Sequence, residues 1–240
     1  MTSNNVLTAG ILLLLLGSVI GGYIAYSLNF PTTLVAIIAV AIISVVGYSK
    51  IFAASGLGEI LVALNFGPLL TAGTYYVQTG ATEISTQSIY IGLITGLLTA
   101  GILYINQFPD TTADISKGRR HLVARLGKKR AVTGFKIVVS LAYVVLAVGV
   151  ATGILPVLAA LGLLTIQQSR TTFKLLDNNY EEIEKLIPAM GNNVKTTIVT
   201  SALILVGYAI TALIFQYWGF ELTPSVSYTH LRAHETRHDL

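Results

Sequence analysis

The chain predicts an all-α, multi-pass transmembrane helical bundle, and three observations carry that expectation. Charged residues make up 11% of the 240 residues against 53% hydrophobic ones, and the mean hydropathy is +0.72; a soluble domain carries about 25% charge. Stretches 1–49, 60–82, 84–109, 137–169 and 196–220 contain no Asp, Glu, Lys or Arg. The basic residues between them fall on one side of the implied membrane.

A helix needs roughly 20 apolar residues to cross about 30 Å of hydrocarbon, which fixes the elements in order. The first stretch holds two helices, near 6–28 and 31–48, broken at Asn29-Phe30-Pro31 because proline lacks an N–H and restricts the residue before it. The next two stretches supply spans near 59–77 and 85–107. A break between Gly153 and Pro156 divides the fourth apolar region into spans at 131–152 and 154–176, the latter including Arg170 and Lys174, whose stems can snorkel to the headgroups. The last span is near 196–217, which makes seven.

With a cytoplasmic N-terminus, Lys50, the cluster from Lys117 to Lys136, Arg170, Lys174, Lys185 and Lys195 all fall on or beside the cytoplasmic side. The net charge of +4 and pI near 9.2 therefore report topology and not affinity for nucleic acid. No basic residue precedes the first apolar run, which argues against a cleaved signal peptide. The absence of Cys excludes disulfides and thiolate metal sites. Gly17/Gly21 and Gly92/Gly96 have the small-xxx-small spacing and read as packing sites between helices of this chain.

Chemistry is expected where an apolar span meets the basic segment. Asp110 and Asp114 are the only acidic residues between Glu83 and Asp177, and on a helix they share a face at i,i+4. Pro109 suits the opening turn of a new helix; if the preceding helix continues instead, Asn106 joins the same face. Two adjacent carboxylates resist joint ionisation unless a cation lies between them. Mg²⁺ suits them, because it takes one or two protein carboxylates and completes its shell with phosphate oxygens and water. Lys117, Arg119, Arg120 and Arg125 follow within a few turns and can answer the charge of a diphosphate. On spacing alone, carboxylates that merely offset a basic cluster explain the pair equally well. Glu181, Glu182, Glu184 and Lys185 in 177–195 predict a short amphipathic cytoplasmic helix with a solvated acidic face.

Residues 106–127 (NQFPDTTADISKGRRHLVARLG) resemble the second aspartate motif of the UbiA superfamily of membrane prenyltransferases. Residues 57–80 (LGEILVALNFGPLLTAGTYYVQTG) resemble the preceding helix of its 1,4-dihydroxy-2-naphthoate polyprenyltransferase branch, and Leu186-Ile187-Pro188-Ala189-Met190 is similar to the approach to that branch's last helix. The resemblance implies a nine-helix UbiA-like fold around a cavity, with aspartate motifs on cytoplasmic loops. Seven of those spans are present, so residues 1–225 are expected to be the membrane domain without its first two helices and without the first aspartate motif. Loss of an even number of spans agrees with the cytoplasmic N-terminus. Residues 226–236 (VSYTHLRAHET) match a reading frame of a transposase-type sequencing adapter, so 226–240 are read as a non-native tail and the spacing of His230, His234 and His238 as no metal site.

The implied activity is Mg²⁺-dependent transfer of a polyprenyl group from an allylic diphosphate to an aromatic acceptor, 1,4-dihydroxy-2-naphthoate in menaquinone biosynthesis. Partners are those two substrates and the lipid bilayer, in the cytoplasmic membrane with the active-site loops facing the cytoplasm. The alternatives are a UbiA-like enzyme with another acceptor, such as a lipid headgroup, haem or chlorin, and a noncatalytic remnant. The chain alone is expected to be inactive. Carried over by motif, Asp110 and Asp114 are the metal carboxylates and catalytic residues, with Asn106 a supporting ligand; Lys117, Arg119, Arg120 and Arg125 bind diphosphate. The family's Gly-Lys-x-Thr-Leu is here Gly118-Arg119-Arg120-His121-Leu122, which keeps a charge with changed geometry. Tyr48 and Lys50 match the family's cytoplasmic loop only at the Tyr and are diphosphate candidates, although Tyr48 also suits an interfacial anchor. Gly56-Leu57-Gly58-Glu59 is intact, so Glu59 is assigned to acceptor binding beside its plain use at a helix start. Asn65 lies deeper in that helix, where an amide needs an interhelical partner or a cavity, and joins Glu59 as an acceptor candidate.

Overall fold

The computed structural model describes residues 3–80, 84–118 and 120–218, and every regular element among them is helical. The tail at 226–240, with its three histidines, and Arg119 lie outside the described residues. Helices α1 (Ser3–Ser27) and α2 (Thr32–Gly47) are joined by a turn in which Asn29 and Phe30 take positive φ of 59° and 51°. That conformation is uncommon for Phe; the Phe30 N–H reaches the Ala25 carbonyl at 2.7 Å, and Pro31 then opens α2. The break is where the sequence places it.

A π-helical turn, Tyr48–Phe52, leads to the third span, Gly58–Thr79. It comprises α3 (Gly58–Leu64), a kink at Asn65–Leu69 and α4 (Leu70–Thr79). Gly67 departs from helical dihedrals there and Pro68 follows it, two of the standard causes of a kink. Helix α5 (Thr86–Ser116) starts where Ser85 accepts the Ser88 N–H at 3.4 Å. It runs 31 residues, past the expected end at 107 and through Pro109, so no new helix begins at that proline. The ring removes the N–H that would meet the Ile105 carbonyl, and buried Ile105, Phe108 and Thr111 hold the helix across the gap.

Past α5 come α6 (Leu122–Leu126) and α7 (Lys128–Ala151). The expected span at 154–176 is a composite of a 3₁₀ segment, Val157–Thr165, and α8 (Ile166–Asn179). At about 2.0 Å and 1.5 Å per residue, its 9 and 14 residues reach roughly 39 Å, enough to cross. Arg170 and Lys174 on α8 are exposed. Helix α9 (Ile183–Trp218) is continuous over 36 residues, so the separate cytoplasmic helix expected at 177–195 is not formed: its first residues close α8 and 183–195 are the first turns of the last span. Pro188 lies inside this helix, past its first turn, and removes the N–H that would meet the Glu184 carbonyl. Among the described residues five helices are long and apolar enough to cross a membrane, and Thr32–Gly47 is a shorter apolar helix.

The core lies among α5, α7, the 3₁₀ segment, α8 and α9, where Tyr104, Phe108, Phe135, Leu146, Leu155 and Leu176 are fully buried. Phe135 stands edge-on to Phe173 with ring centres 5.9 Å apart, a favoured aromatic geometry. By contrast α1 is almost wholly exposed along apolar residues such as Leu12, Leu13 and Leu16, as a lipid-facing helix should be. Gly17 has open space around it and serves no packing role here, whereas Gly92 and Gly96 press against the backbone of Pro68 and Ala63.

Within the core, the Tyr143 hydroxyl is 2.9 Å from Thr165 Oγ1 and 2.8 Å from Ser169 Oγ, and Thr165 Oγ1 lies 2.6 Å from Thr200 Oγ1. This chain of hydroxyls ties α7, the 3₁₀ segment, α8 and α9 together where no water competes. Tyr143→Phe leaves the ring in place and takes the hydroxyl partner from Ser169 Oγ, while Thr165 keeps Thr200 and the Gly162 carbonyl. It is expected to cost about 1–2 kcal/mol, read as a lowered thermal midpoint in detergent.

Candidate active site at one end of the bundle

Three interhelical segments converge at one end of the bundle. Arg125 Nη2 donates to the Ala54 carbonyl at 3.1 Å, tying α6 to the loop after Phe52. Gly56 permits this: its φ of +74° is left-handed, and a Cβ there would lie 2.9 Å from Arg125 Cδ. Lys136 Nζ meets both carboxylate oxygens of Asp177 at 2.6 and 2.7 Å, and Lys128 Nζ lies 3.7 Å from Glu181 Oε2. Both cytoplasmic segments expected from the sequence therefore belong to one polar end.

Because α5 does not break at Pro109, Asn106, Asp110 and Asp114 line up at i, i+4 and i+8. All three border a pocket of about 190 Å³, with Tyr48, Ala53, Leu103, Gln107 and His121 completing its wall. Asp110 is exposed and Asp114 partly so. Glu59, 4% exposed in the first turn of α3, accepts a hydrogen bond from Gln107 Nε2 through Oε1. That bond turns the amide so that Gln107 Oε1, buried and without a hydrogen-bond partner, is its remaining polar atom. Glu59 thus stands behind the pocket wall and fixes one of its side chains.

His121 caps α6, its Nδ1 accepting the Ala124 N–H at 3.3 Å. Its Nε2 lies 3.6 Å from Asp114 Oδ2. Burial pushes the imidazole pKa below its ordinary value, while the charges of Asp114, Glu59 and Asp110 work in the opposite direction.

The cations are placed differently. Lys117 and Arg120 are exposed at the same end but do not border the pocket, and Arg125 commits Nε to the Arg120 carbonyl at 2.7 Å as well as Nη2 to Ala54. The Lys50 side chain lies outside the described residues. Asn65 is also apart from the aspartates: its Nδ2 donates to Ser44 Oγ at 3.1 Å and to the Leu61 carbonyl at 2.8 Å. It lies in an apolar groove of about 560 Å³ between α2 and the third span, bordered by Val45, Leu61, Val62, Phe66 and Tyr48. Tyr48 borders both this groove and the aspartate pocket.

Sequence alone does not single out Gln107 or His121 as a site residue. A signal for Gln107 does exist, since 107, 110 and 114 follow the i, i+3, i+7 rhythm of one helix face. His121 lies beyond the end of α5 and opens α6, and no periodicity of α5 reveals that it borders the pocket.

The donor set fits Mg²⁺. Two carboxylates, the Asn106 amide and the unpartnered Gln107 Oε1 form an oxygen-rich wall that leaves part of a coordination shell to phosphate and water. Among the described residues no group of three or more His, Cys, Asp or Glu forms a cage by itself.

Residues 1–194 match the model of the UbiA prenyltransferase family. The chain is 31% identical over 97 residues to a 2-carboxy-1,4-naphthoquinone phytyltransferase of Synechocystis sp., covering 40% of this chain and 30% of the relative. It is 37% identical over 90 residues to the 1,4-dihydroxy-2-naphthoate octaprenyltransferase of Haemophilus influenzae, covering 36% and 29%, and 33% identical over 132 residues to that of Mycobacterium tuberculosis, covering 54% and 44%. The matched segments span between about a third and under half of these relatives. No solved structure gives a significant match.

Proposed function

Since the chain belongs to the UbiA prenyltransferase family, we propose that it is the part of a membrane enzyme that takes an allylic polyprenyl diphosphate and transfers its prenyl group to 1,4-dihydroxy-2-naphthoate. The observation that carries this reading is the alignment of Asn106, Asp110 and Asp114 along one pocket. The names of the relatives support the acceptor. The charge distribution supports a cytoplasmic site in the cytoplasmic membrane.

In this reading Asp110 and Asp114, with Asn106 and Gln107 Oε1, would hold Mg²⁺. When bound, it supplies positive charge for the oxygens of the departing diphosphate. Lys117 and Arg120, exposed at the same end, add cationic charge to its surroundings, and the sequence motif gives Arg119 and Lys50 the same role. Arg125 contributes by fixing the loop that bears Tyr48's neighbours. The allylic C–O bond breaks with its electron pair leaving on the diphosphate, and a ring carbon of the acceptor forms the new C–C bond as its carboxylate departs as CO₂. At about 190 Å³ the polar pocket is smaller than the ≈300–1,000 Å³ of ordinary ligand sites, so it suits the headgroup alone. The apolar groove that begins at Tyr48 suits the prenyl chain, and its walls keep water from the allylic carbon. Glu59 acts through Gln107, holding its amide so that Oε1 is left for the metal site. Asn65 acts by holding α2 to the third span, which sets the groove's width.

The test is made on the full-length protein in membranes, with polyprenyl diphosphate, dihydroxynaphthoate and Mg²⁺. Prenylated naphthoate product is expected. Turnover on a different acceptor, with none on the naphthoate, would overturn the assignment.

A further inference from the structure

The His121 imidazole is 5% exposed and borders the aspartate pocket, yet its Nε2 has no hydrogen-bond partner. A buried polar atom left unpaired is costly, so a partner is expected in the working state. The ring's other nitrogen identifies what kind. Nδ1 accepts the Ala124 N–H at the start of α6, and a nitrogen that accepts cannot carry a proton. The neutral ring therefore bears its hydrogen on Nε2, which makes Nε2 a donor and unsuits it as a metal ligand. Asp114 Oδ2, at 3.6 Å, is beyond hydrogen-bond reach. What the pocket lacks for Nε2–H is an acceptor oxygen standing in front of the two carboxylates. An anion held there through a cation supplies one.

We propose that His121 donates a hydrogen bond from Nε2 to a phosphate oxygen of the substrate diphosphate, with the cap to Ala124 holding the ring in the donating tautomer. This rests on the proposed prenyl-transfer reading and adds a neutral, rigid donor to a site whose described cations, Lys117 and Arg120, are exposed and do not border the pocket. Unlike those long side chains, the imidazole is oriented before the substrate arrives, so little freedom is lost when the bond forms.

The experiment separates the donor from the cap. Asn and Ser both cap helices well but are too short to reach the pocket. His121→Asn, or His121→Ser where the first does not fold, therefore keeps α6 and removes the donor. Full-length protein in lipid nanodiscs is titrated with inorganic pyrophosphate in the presence of Mg²⁺ by calorimetry, and with Mn²⁺ alone by electron paramagnetic resonance. The variant is expected to bind pyrophosphate about tenfold more weakly, with Mn²⁺ affinity and thermal midpoint unchanged. Unchanged pyrophosphate affinity would reduce His121 to a cap and overturn the proposal. Parallel loss of Mn²⁺ affinity would overturn it too, because His121 would then be acting on the carboxylates. If Asp110→Asn abolishes pyrophosphate binding while His121→Asn changes nothing, only this inference falls; no binding by the unaltered protein sinks it together with the prenyl-transfer reading.

Discussion

Asp110→Asn and Asp114→Asn are each expected to lower Mg²⁺-dependent prenyl transfer by at least about 10²-fold, the scale on which removal of one charge-stabilising group slows a reaction. Asn matches Asp in shape and stays compatible with the helix, so α5 should insert and pack as before. What it removes is a negative charge at a pocket wall where the second carboxylate lies one turn away. The loss should appear in turnover measured in isolated membranes, with the amount of inserted protein equal to that of the unaltered chain. Restored activity at high Mg²⁺ would mark weakened cation binding. Unchanged turnover in both variants would return the pair to carboxylates that merely offset the basic cluster of 117–136.

The sequence was most legible where the membrane dictates it. Backbone groups in hydrocarbon must be paired within helices, so charge-free stretches translate almost directly into spans, and the breaks at Asn29-Phe30-Pro31 and near Gly153 to Pro156 lie where the helices end. It was less legible where packing overrides local rules. Pro109 reads as a helix start, yet buried neighbours carry α5 through it. Residues 177–195 read as a separate surface helix, yet buried Leu186 and Ala189 lock 183–195 into the last span. The pocket was half legible for the same reason. Asn106, Asp110 and Asp114 share a helical period, whereas Gln107 is oriented by Glu59 from another helix and His121 lies beyond the end of α5 and opens α6. Gly17/Gly21 and Gly92/Gly96 show the limit of a spacing rule: identical patterns, one facing open space at Gly17 and one at a tight crossing.

That crossing is where a single small side chain should do most damage to the fold. Gly67, in the kink of the third span, and Gly92 and Gly96 on α5 bring two backbones together so closely that a Cβ on Gly96 would lie 2.9 Å from Gly67 Cα and inside the Ala63 carbonyl. A Cβ on Gly92 would lie 2.6 Å from Pro68 Cα. Between membrane helices there is no hydrophobic gain to hold a widened contact, since lipid is as apolar as the helix surface, and close van der Waals packing is the main force lost. Gly96→Val must therefore push the third span away from α5, because the atoms it meets are backbone and cannot rotate aside. The expected cost is about 3 kcal/mol, the upper end for overpacking, and is read as a fall in thermal midpoint. Function should fall with it, because the same displacement pulls Glu59 from Gln107 and shifts the pocket wall relative to Asp110 and Asp114. Gly17→Val is the control: the same residue change at the same kind of motif, facing open space, should leave both midpoint and turnover unaltered. Equal effects of the two substitutions would mean that helix propensity, and not the α5 crossing, sets the cost.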